Sequence, residues 1–147
     1  MTDDPPAGGA KRSPQADEAL IEARFAFERD GDVARARELI DQAIAEHAEP
    51  GRIAGYLVMI GDHARAEPFA REALAHELAI VPVKPVIAGT RHLFLAKLLD
   101  ALGRAEAAVH AREGVAWYAR GVAADDRELA FVRADAARII ARYDTAP

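Results

Sequence analysis

The six residues Gly61-Asp62-His63-Ala64-Arg65-Ala66 decide how this chain folds, because nearly the same hexamer occurs thirty positions earlier as Gly31-Asp32-Val33-Ala34-Arg35-Ala36. A looser third copy is Gly103-Arg104-Ala105-Glu106-Ala107-Ala108. Each copy lies between two stretches with helical periodicity, and a repeat of a few tens of residues is typical of a stacked array of helices. The sequence therefore predicts helical hairpins, each joined by one of these hexamers.

Each residue type in the hexamer suits a turn between two helices. Glycine can adopt the left-handed conformation that ends one helix, and the aspartate after it can accept backbone N–H bonds as the N-cap of the next. The alanine five residues after the glycine lets the two helices approach closely. We therefore expect positive φ angles at the three glycines and close helix contacts at the last alanine of each hexamer.

The composition fits one helical domain and argues against several classes of function. Apolar residues make up 51% of the 147-residue chain, and 35 alanines favour long helices. The net charge of −5, with acidic residues interleaved throughout, argues against binding to nucleic acid. The absence of cysteine excludes disulfides, thiolate zinc sites and cysteine nucleophiles. No signal peptide is visible, and we expect a cytoplasmic protein without membrane association.

The remaining pattern divides the chain into a leader, three hairpins and a closing helix. Residues 1–12 contain no apolar run and are expected to form a disordered leader. A single helical domain is expected over residues 13–143, with hairpins at about 13–47, 50–78 and 90–120 and a closing helix at about 125–143. Thr90 is the expected N-cap of the fifth helix. Asp125, with Glu128 three residues later, resembles a capping box at the start of the closing helix.

Residues 79–88 interrupt the helical periodicity with two prolines and five β-branched residues. We expect this insertion to be extended and partly buried. Long irregular stretches in compact arrays are often functional, so the insertion is either a functional segment or a plain spacer.

The hexamers and the apolar positions around them resemble the tetratricopeptide repeat. Its consensus places a large residue, a small residue, an aromatic residue, a turn glycine and two alanines across about 34 positions. The matching residues in the three units are Leu20, Ala23, Phe27, Gly31, Ala36 and Ala43; Ile53, Ala54, Leu57, Gly61, Ala66 and Ala73; and Leu95, Ala96, Leu99, Gly103, Ala108 and Val115. The resemblance implies an all-α fold of three antiparallel hairpins stacked as a short right-handed α-solenoid, followed by the closing helix. A related α-solenoid is the main alternative.

The resemblance also implies a concave groove lined by the first helix of each hairpin. The positions that match the family's groove are Glu18, Ile21, Phe25, Glu28, Arg29, Gly55, Val58, Met59, Leu93, Lys97 and Asp100. They form an apolar floor with mixed charges, which suits a peptide or helix of a protein partner. The chain lacks the asparagines with which one subclass of the family clamps a C-terminal carboxylate. Ile21 and Phe25 are either exposed in the groove or covered by the superhelix or the leader.

Three residues depart from the family's pattern. Arg24 occupies a position where a small residue is expected, Arg112 one where an apolar residue is expected, and His92 replaces a large apolar residue. His92 is therefore expected to be a buried histidine bonded to a neighbour, whereas His110 is expected to face outward.

No catalytic or metal site is indicated by the sequence. Glu72 and His76 lie four residues apart on a helix, and an exposed helical contact is a better interpretation than a pair of metal ligands. No glycine-rich phosphate loop and no Ser-His-Asp arrangement is present. We expect neither a cofactor nor enzymatic activity.

Two other surfaces leave alternatives open. Trp117 and Tyr118 form either an exposed aromatic hot spot or the seam against the closing helix. The expected function is a protein-interaction module with an adaptor or regulatory role. Its alternatives are a self-associating structural protein, such as a homodimer, and a small enzyme or ligand-binding protein that uses His92 and the insertion.

Overall fold

The computed structural model describes residues 14–144, so the expected leader lies outside the described part of the chain. Within these residues the fold is all-helical, with seven helices and no strand. The helices are α1 (Pro14–Glu28), α2 (Val33–Ala45), α3 (Pro50–Met59), α4 (His63–Ala79), α5 (Pro85–Ala101), α6 (Glu106–Arg120) and α7 (Arg127–Tyr143). The expected all-α class is confirmed.

The chain divides into two compact units, Met1–Gly61 and Asp62–Pro147. In the first unit α1 packs along α2, and α3 contacts both of them. In the second unit α5 packs between α4 and α6, while α7 packs on α6 and also touches α5. The first and third expected hairpins are thus the α1–α2 and α5–α6 pairs. Of the second expected hairpin, α3 belongs to the first unit and α4 to the second.

The repeated glycines end their helices as the sequence predicts. Gly31, Gly61 and Gly103 have φ angles of 62°, 82° and 73°, which lie in the left-handed region. At Gly103 the chain turns sharply enough for the Arg104 N–H to donate to the Leu99 carbonyl at 2.9 Å. Such bonds satisfy carbonyl groups that the end of a helix leaves without an intrahelical partner.

The last alanine of each hexamer is buried. Ala36 and Ala66 are fully inaccessible to solvent, and Ala108 is 6% exposed. Each unit also buries large apolar side chains completely, including Leu20, Ile40 and Leu57 in the first and Leu95, Leu99 and Leu129 in the second. The core of each unit therefore combines leucine or isoleucine with alanine, and the alanines let neighbouring helices come close.

The fifth helix begins earlier than expected, at Pro85 rather than after Thr90. Proline is well tolerated there because the first N–H groups of a helix have no intrahelical partner. The Thr90 hydroxyl lies inside the helix, where it donates to the Val86 carbonyl at 2.8 Å. Of the expected insertion at residues 79–88, only residues 80–84 lie outside a helix. Val81 is 90% exposed, so the expectation of partial burial is wrong for this residue.

The N-cap of α7 is Asp126 and not Asp125. Its carboxylate accepts a hydrogen bond from the Leu129 N–H at 3.0 Å. Because α7 begins at Arg127, Glu128 is its second helical residue and is one position too early for the expected capping box.

The α5–α6 contact depends on two glycines that the repeat pattern does not identify. A Cβ atom added at Gly89 would lie 2.7 Å from the Tyr118 backbone nitrogen and 2.8 Å from the Gly114 carbonyl oxygen. A Cβ atom at Gly114 would lie 2.6 Å from Leu93 Cγ. The two backbones therefore approach closely only because these positions carry no side chain.

Candidate functional site

A cleft of about 460 Å³ lies between α1 and α3 in the first unit. It is lined by Arg24, Glu28, Arg52, Gly55, Tyr56 and Met59. Three of these residues, Glu28, Gly55 and Met59, are among the groove positions expected from the sequence. The two lining residues of α1 are four apart and those of α3 fall at i, i+3, i+4 and i+7, so each set shares one face of its helix. We call this feature the α1–α3 cleft.

Two arginines shape the wall of the α1–α3 cleft. The Arg52 guanidinium binds the Asp17 carboxylate at 2.5 Å, and it thereby connects the starts of the two helices. The Arg24 guanidinium lies over the Tyr56 ring, 5.6 Å from its centroid. Arg24 is one of the departures from the tetratricopeptide pattern, and it lines the α1–α3 cleft together with Tyr56. Arg52 and Tyr56 were missed, although their spacing with Met59 places all three on one face of α3.

Ile21 and Phe25 form an exposed apolar strip next to the cleft. Each is 49% exposed, so the described part of the chain does not cover them. They lie three residues before Arg24 and Glu28 respectively, which makes the four side chains neighbours on the surface of α1. The Arg29 guanidinium lies 5.5 Å from the centroid of the Phe25 ring. Glu18 is also exposed, and Val58 is half-buried.

The expected groove residues of α5 all contact neighbouring helices of the second unit, and Leu93 and Lys97 also line a cleft between α5, α6 and α7. Leu93 is only 8% exposed and packs at Gly114. The Asp100 carboxylate accepts a hydrogen bond from the Tyr143 hydroxyl at 2.9 Å and pairs with Arg142 at 3.0 Å. Leu93 and Asp100 therefore make structural contacts within the second unit, and their place in a groove for a partner stays a prediction.

Lys97 remains exposed on α5, but its ammonium group pairs with Asp135 of α7 at 3.1 Å. This contact, followed by the hydrogen bond from Arg138, lowers the pKa of the Asp135 carboxyl. Burial, together with the hydrogen bond to Asp100, raises the pKa of the Tyr143 hydroxyl. The sequence did not predict that α7 covers this side of α5, because periodicity identifies an apolar face without naming the helix it meets.

His92 is buried and bonded to a neighbour, as the sequence predicts. Its Nδ1 atom lies 3.1 Å from Nδ1 of His110. The ring centroids are 5.3 Å apart, close to the sum of the distance between the nitrogens and the two ring radii, so the nitrogens point at one another. In the neutral pair one Nδ1–H donates to the other Nδ1. Burial, and then the nearby His110, lower the pKa of His92.

The expectation that His110 faces outward is wrong. Its side chain is 14% exposed, and its Nε2 atom lies 3.5 Å from the Glu106 carboxylate. The close approach of α5 and α6 brings the two imidazoles together, an effect that neither helix pattern reveals alone.

A chain of ion pairs continues from Glu106 across the second unit. Arg71 binds Glu106 at 2.7 Å and Glu67 at 2.9 Å, and Glu67 also binds Arg104 at 2.6 Å. The hydrogen bond from Arg71 is the main cause that lowers the pKa of each glutamate. These contacts connect α4 to α6 and to the turn between α5 and α6.

No metal centre is formed within residues 14–144, since no three His, Cys, Asp or Glu side chains there are placed to hold an ion. The nitrogens of His92 and His110 face each other and do not converge on a third point. Glu72 and His76 make the exposed helical contact that the sequence predicts, with Nε2 and Oε1 3.9 Å apart.

Tyr118 belongs to a seam between helices. It lines a cleft together with residues of α5 and α7, including the expected groove residues Leu93 and Lys97. Trp117 is half-buried, and the Arg120 guanidinium covers its ring at 4.6 Å. Residues 80–87 line a separate apolar cleft with Gly121, and His92 is not part of that lining.

No protein-family model matches the chain, and neither a curated protein nor a solved structure shows significant similarity to it. None of the helices within residues 14–144 is both long and apolar enough to cross a membrane.

Proposed function

We propose that the chain is a protein-interaction module in which the α1–α3 cleft and the adjoining Ile21 and Phe25 bind a peptide or helix of a partner protein. The observation that carries this proposal is the pair of large apolar side chains, each 49% exposed, beside a cleft of mixed charge. Contiguous exposed apolar side chains rimmed by polar ones are typical of interaction sites.

The chemistry of this surface suits an apolar anchor with polar neighbours. An anchor side chain of the partner would pack on Ile21 and Phe25, and such anchors commonly contribute most of the binding energy. Arg24 and Glu28 present opposite charges beside them, so polar groups of the partner would determine its orientation. Gly55 has no atom near the position of a missing Cβ, so a ligand could approach the backbone of α3 closely.

The tetratricopeptide-like arrangement, with three hairpins stacked as a right-handed solenoid and a closing helix, is part of this proposal. It is supported by the recurrence of a positive-φ glycine and a buried alanine in all three hexamers. The proposed role is that of a non-enzymatic adaptor without a cofactor. The cytoplasmic location expected from the sequence stays a prediction.

A displayed peptide library tests the proposed function. Peptides selected on the full chain should bind it with an affinity that falls about tenfold or more on Phe25→Ala, the loss expected when an anchor contact is truncated. Phe131→Ala is the matched control, because Phe131 on α7 is 59% exposed and lies outside the α1–α3 cleft. Helical circular dichroism should be the same for all three proteins, since both phenylalanines are exposed.

Selected peptides that bind Phe25→Ala as tightly as the unmodified chain would contradict the proposal. The main alternative is self-association through the same strip. It predicts that the measured mass of the unmodified chain rises with concentration, whereas the mass of Phe25→Ala does not. No observation favours an enzyme that uses His92, because this imidazole is buried against His110 and apart from the cleft of residues 80–87.

A further inference from the structure

A second cleft, of about 390 Å³, lies between α6 and α7. Its floor includes Val115 and Ala116 of α6 and Ala137 and Ile140 of α7. Arg112 and Arg133 also line it, one from each helix. We call this feature the α6–α7 cleft. It contains none of the residues of the α1–α3 cleft, so an inference drawn from it is independent of the function proposed above.

The shape of the α6–α7 cleft suits a helix. The two helices run antiparallel, since Arg112 in the middle of α6 binds Asp144 just after the end of α7 at 2.7 Å, whereas Tyr118 near the end of α6 shares a cleft with Glu128 near the start of α7. The lining residues of α7 span Arg133 to Ile140, about 10 Å or two helical turns. Alanines on both sides keep the floor low, so a third helix could pack closely in the groove. Such a groove accepts apolar side chains spaced three or four residues apart.

The charge of the α6–α7 cleft indicates which helix would fit. Both charged residues that line it are arginines, and no acidic residue is among them. Arg133 makes no ion pair within residues 14–144. Arg112 already binds the carboxylate of Asp144, whose side chain is 63% exposed. That contact shows that the Arg112 guanidinium, one of the two charged groups lining the cleft, is accessible to an exposed carboxylate.

We propose that the α6–α7 cleft binds an acidic amphipathic helix of a partner protein. The apolar side chains of this helix would lie on Val115, Ala116, Ala137 and Ile140, and its flanking carboxylates would pair with Arg112 and Arg133. Arginine suits this role because its planar guanidinium can bind a carboxylate through two parallel hydrogen bonds. The proposal also explains why Arg112 stands where the repeat pattern favours an apolar residue.

Two synthetic helical peptides test this proposal against the full chain by fluorescence anisotropy. One has leucines at positions i, i+3, i+4 and i+7 flanked by glutamates, and the other has lysines in place of the glutamates. The acidic peptide should bind the chain, and binding should weaken with added salt because the rim contacts are solvent-accessible. The lysine peptide should bind at least about tenfold more weakly, as opposite charge selects the partner.

A matched pair of charge reversals on α7 separates the cleft from the general charge of the chain. Arg133→Glu should weaken binding of the acidic peptide about tenfold and strengthen binding of the lysine peptide. Arg127→Glu makes the same charge change on the same helix outside the cleft, and it should leave both affinities unchanged. Phe25→Ala should also bind the acidic peptide like the unmodified chain, so failure here is distinguishable from failure of the function proposed above.

Equal binding of the acidic peptide to Arg133→Glu and the unmodified chain would overturn the proposal, as would equal binding of the two peptides to the unmodified chain. Sedimentation equilibrium tests a different occupant. If neither peptide binds and the chain self-associates in a manner lost in Arg133→Glu, a second copy fills the cleft and the proposed partner is wrong.

Discussion

The α1–α2 and α5–α6 pairs have the same kind of turn but different contacts. Both turns contain a glycine with positive φ and are followed by a buried alanine. Every fully buried side chain of α1 and α2 is apolar, and many are alanines. The α5–α6 contact instead includes two glycines and the buried His92. The hexamer therefore determines the turn, whereas residues outside it determine how closely the helices pack and what chemistry lies between them.

This difference predicts unequal tolerance to substitution. Neither α1 nor α2 contains a glycine, so every position of that contact already carries a Cβ atom. In α5–α6 a Cβ atom at Gly89 would meet backbone atoms, which cannot rotate away. Buried backbone contacts of this kind leave neighbouring atoms no alternative rotamer, and the helix itself must shift.

The largest expected effect is that of Gly89→Ala. The added methyl group would overlap the backbone of α6, so we expect a loss of about 3 kcal/mol or more in the free energy of unfolding. Gly55→Ala is the matched control, since a Cβ atom there would have no neighbour within 4 Å. That change removes a glycine from inside α3 and should stabilise the chain by about 0.5–1 kcal/mol.

Urea unfolding followed by circular dichroism measures both variants. The fluorescence of Trp117, the chain's one tryptophan, reports separately on the second unit. Equal urea midpoints for Gly89→Ala and the unmodified chain would show that the α6 backbone does not lie within contact distance of Gly89.

The contrast between the pairs also explains how much the sequence could predict. Glycine with positive φ is a local property of the backbone, so the hexamers predicted Gly31, Gly61 and Gly103 correctly. Periodicity placed all seven helices, although α5 begins five residues before the expected N-cap at Thr90. Proline can start a helix as well as interrupt one, and the sequence around Pro85 does not distinguish these roles.

The candidate site was predicted less completely because it depends on contacts between helices. Ile21 and Phe25 were expected either in a groove or covered by the superhelix or the leader; each is 49% exposed within the described residues, and their place in a groove stays a prediction. Leu93 and Asp100 match groove positions by register, and the sequence did not show that Leu93 also packs on α6 and Asp100 also bonds to α7. The periodicity of α5 gives no information about where α7 packs. For the same reason, the His92–His110 pair could not be recognised from either helix alone.

The second prediction concerns pH and the His92–His110 pair. The pKa of His92 is lowered by burial and by His110, while Glu113 opposes this change. The unfolded state therefore binds a proton first as the pH falls through about 6.5, the ordinary value for histidine. Stability should be complete above that pH and decrease as the pH falls toward the lowered pKa of folded His92. In the first unit the corresponding helix contact has no buried histidine.

Hydrogen exchange measured between pH 7.5 and 5.5 should therefore show faster opening of α5 and α6 amides relative to those of α1 and α2, after correction for intrinsic rates. His110→Gln keeps a hydrogen-bonding side chain but removes the imidazole that helps to lower the pKa of His92, so it should reduce this dependence. Below about 4.5 a second loss should follow, because Glu67 and Glu106 have lowered pKa values and their ion pairs require ionised carboxylates. An α5–α6 pair as insensitive as α1–α2 between pH 7.5 and 5.5 would contradict the role given to the imidazoles.

The smallest expected effect compares the residues that follow the turn glycines, Asp32 in α1–α2 and Arg104 in α5–α6. The Asp32 carboxylate accepts the Arg35 N–H at 2.9 Å and so caps α2, whereas the Arg104 guanidinium pairs with Glu67 and is about half exposed. Asp32→Ala leaves the Arg35 N–H without this acceptor, and we expect a loss of about 1 kcal/mol. Arg104→Ala should cost no more than about 0.5 kcal/mol, because exposed ion pairs contribute little and Glu67 keeps its ion pair with Arg71.

Urea midpoints measured in low and high salt distinguish the two causes, since salt screens the ion pair and leaves the cap nearly unchanged. If Arg104→Ala proved the more damaging change, the third hexamer would stabilise its turn through the Glu67 ion pair and not through the glycine that it shares with the other two.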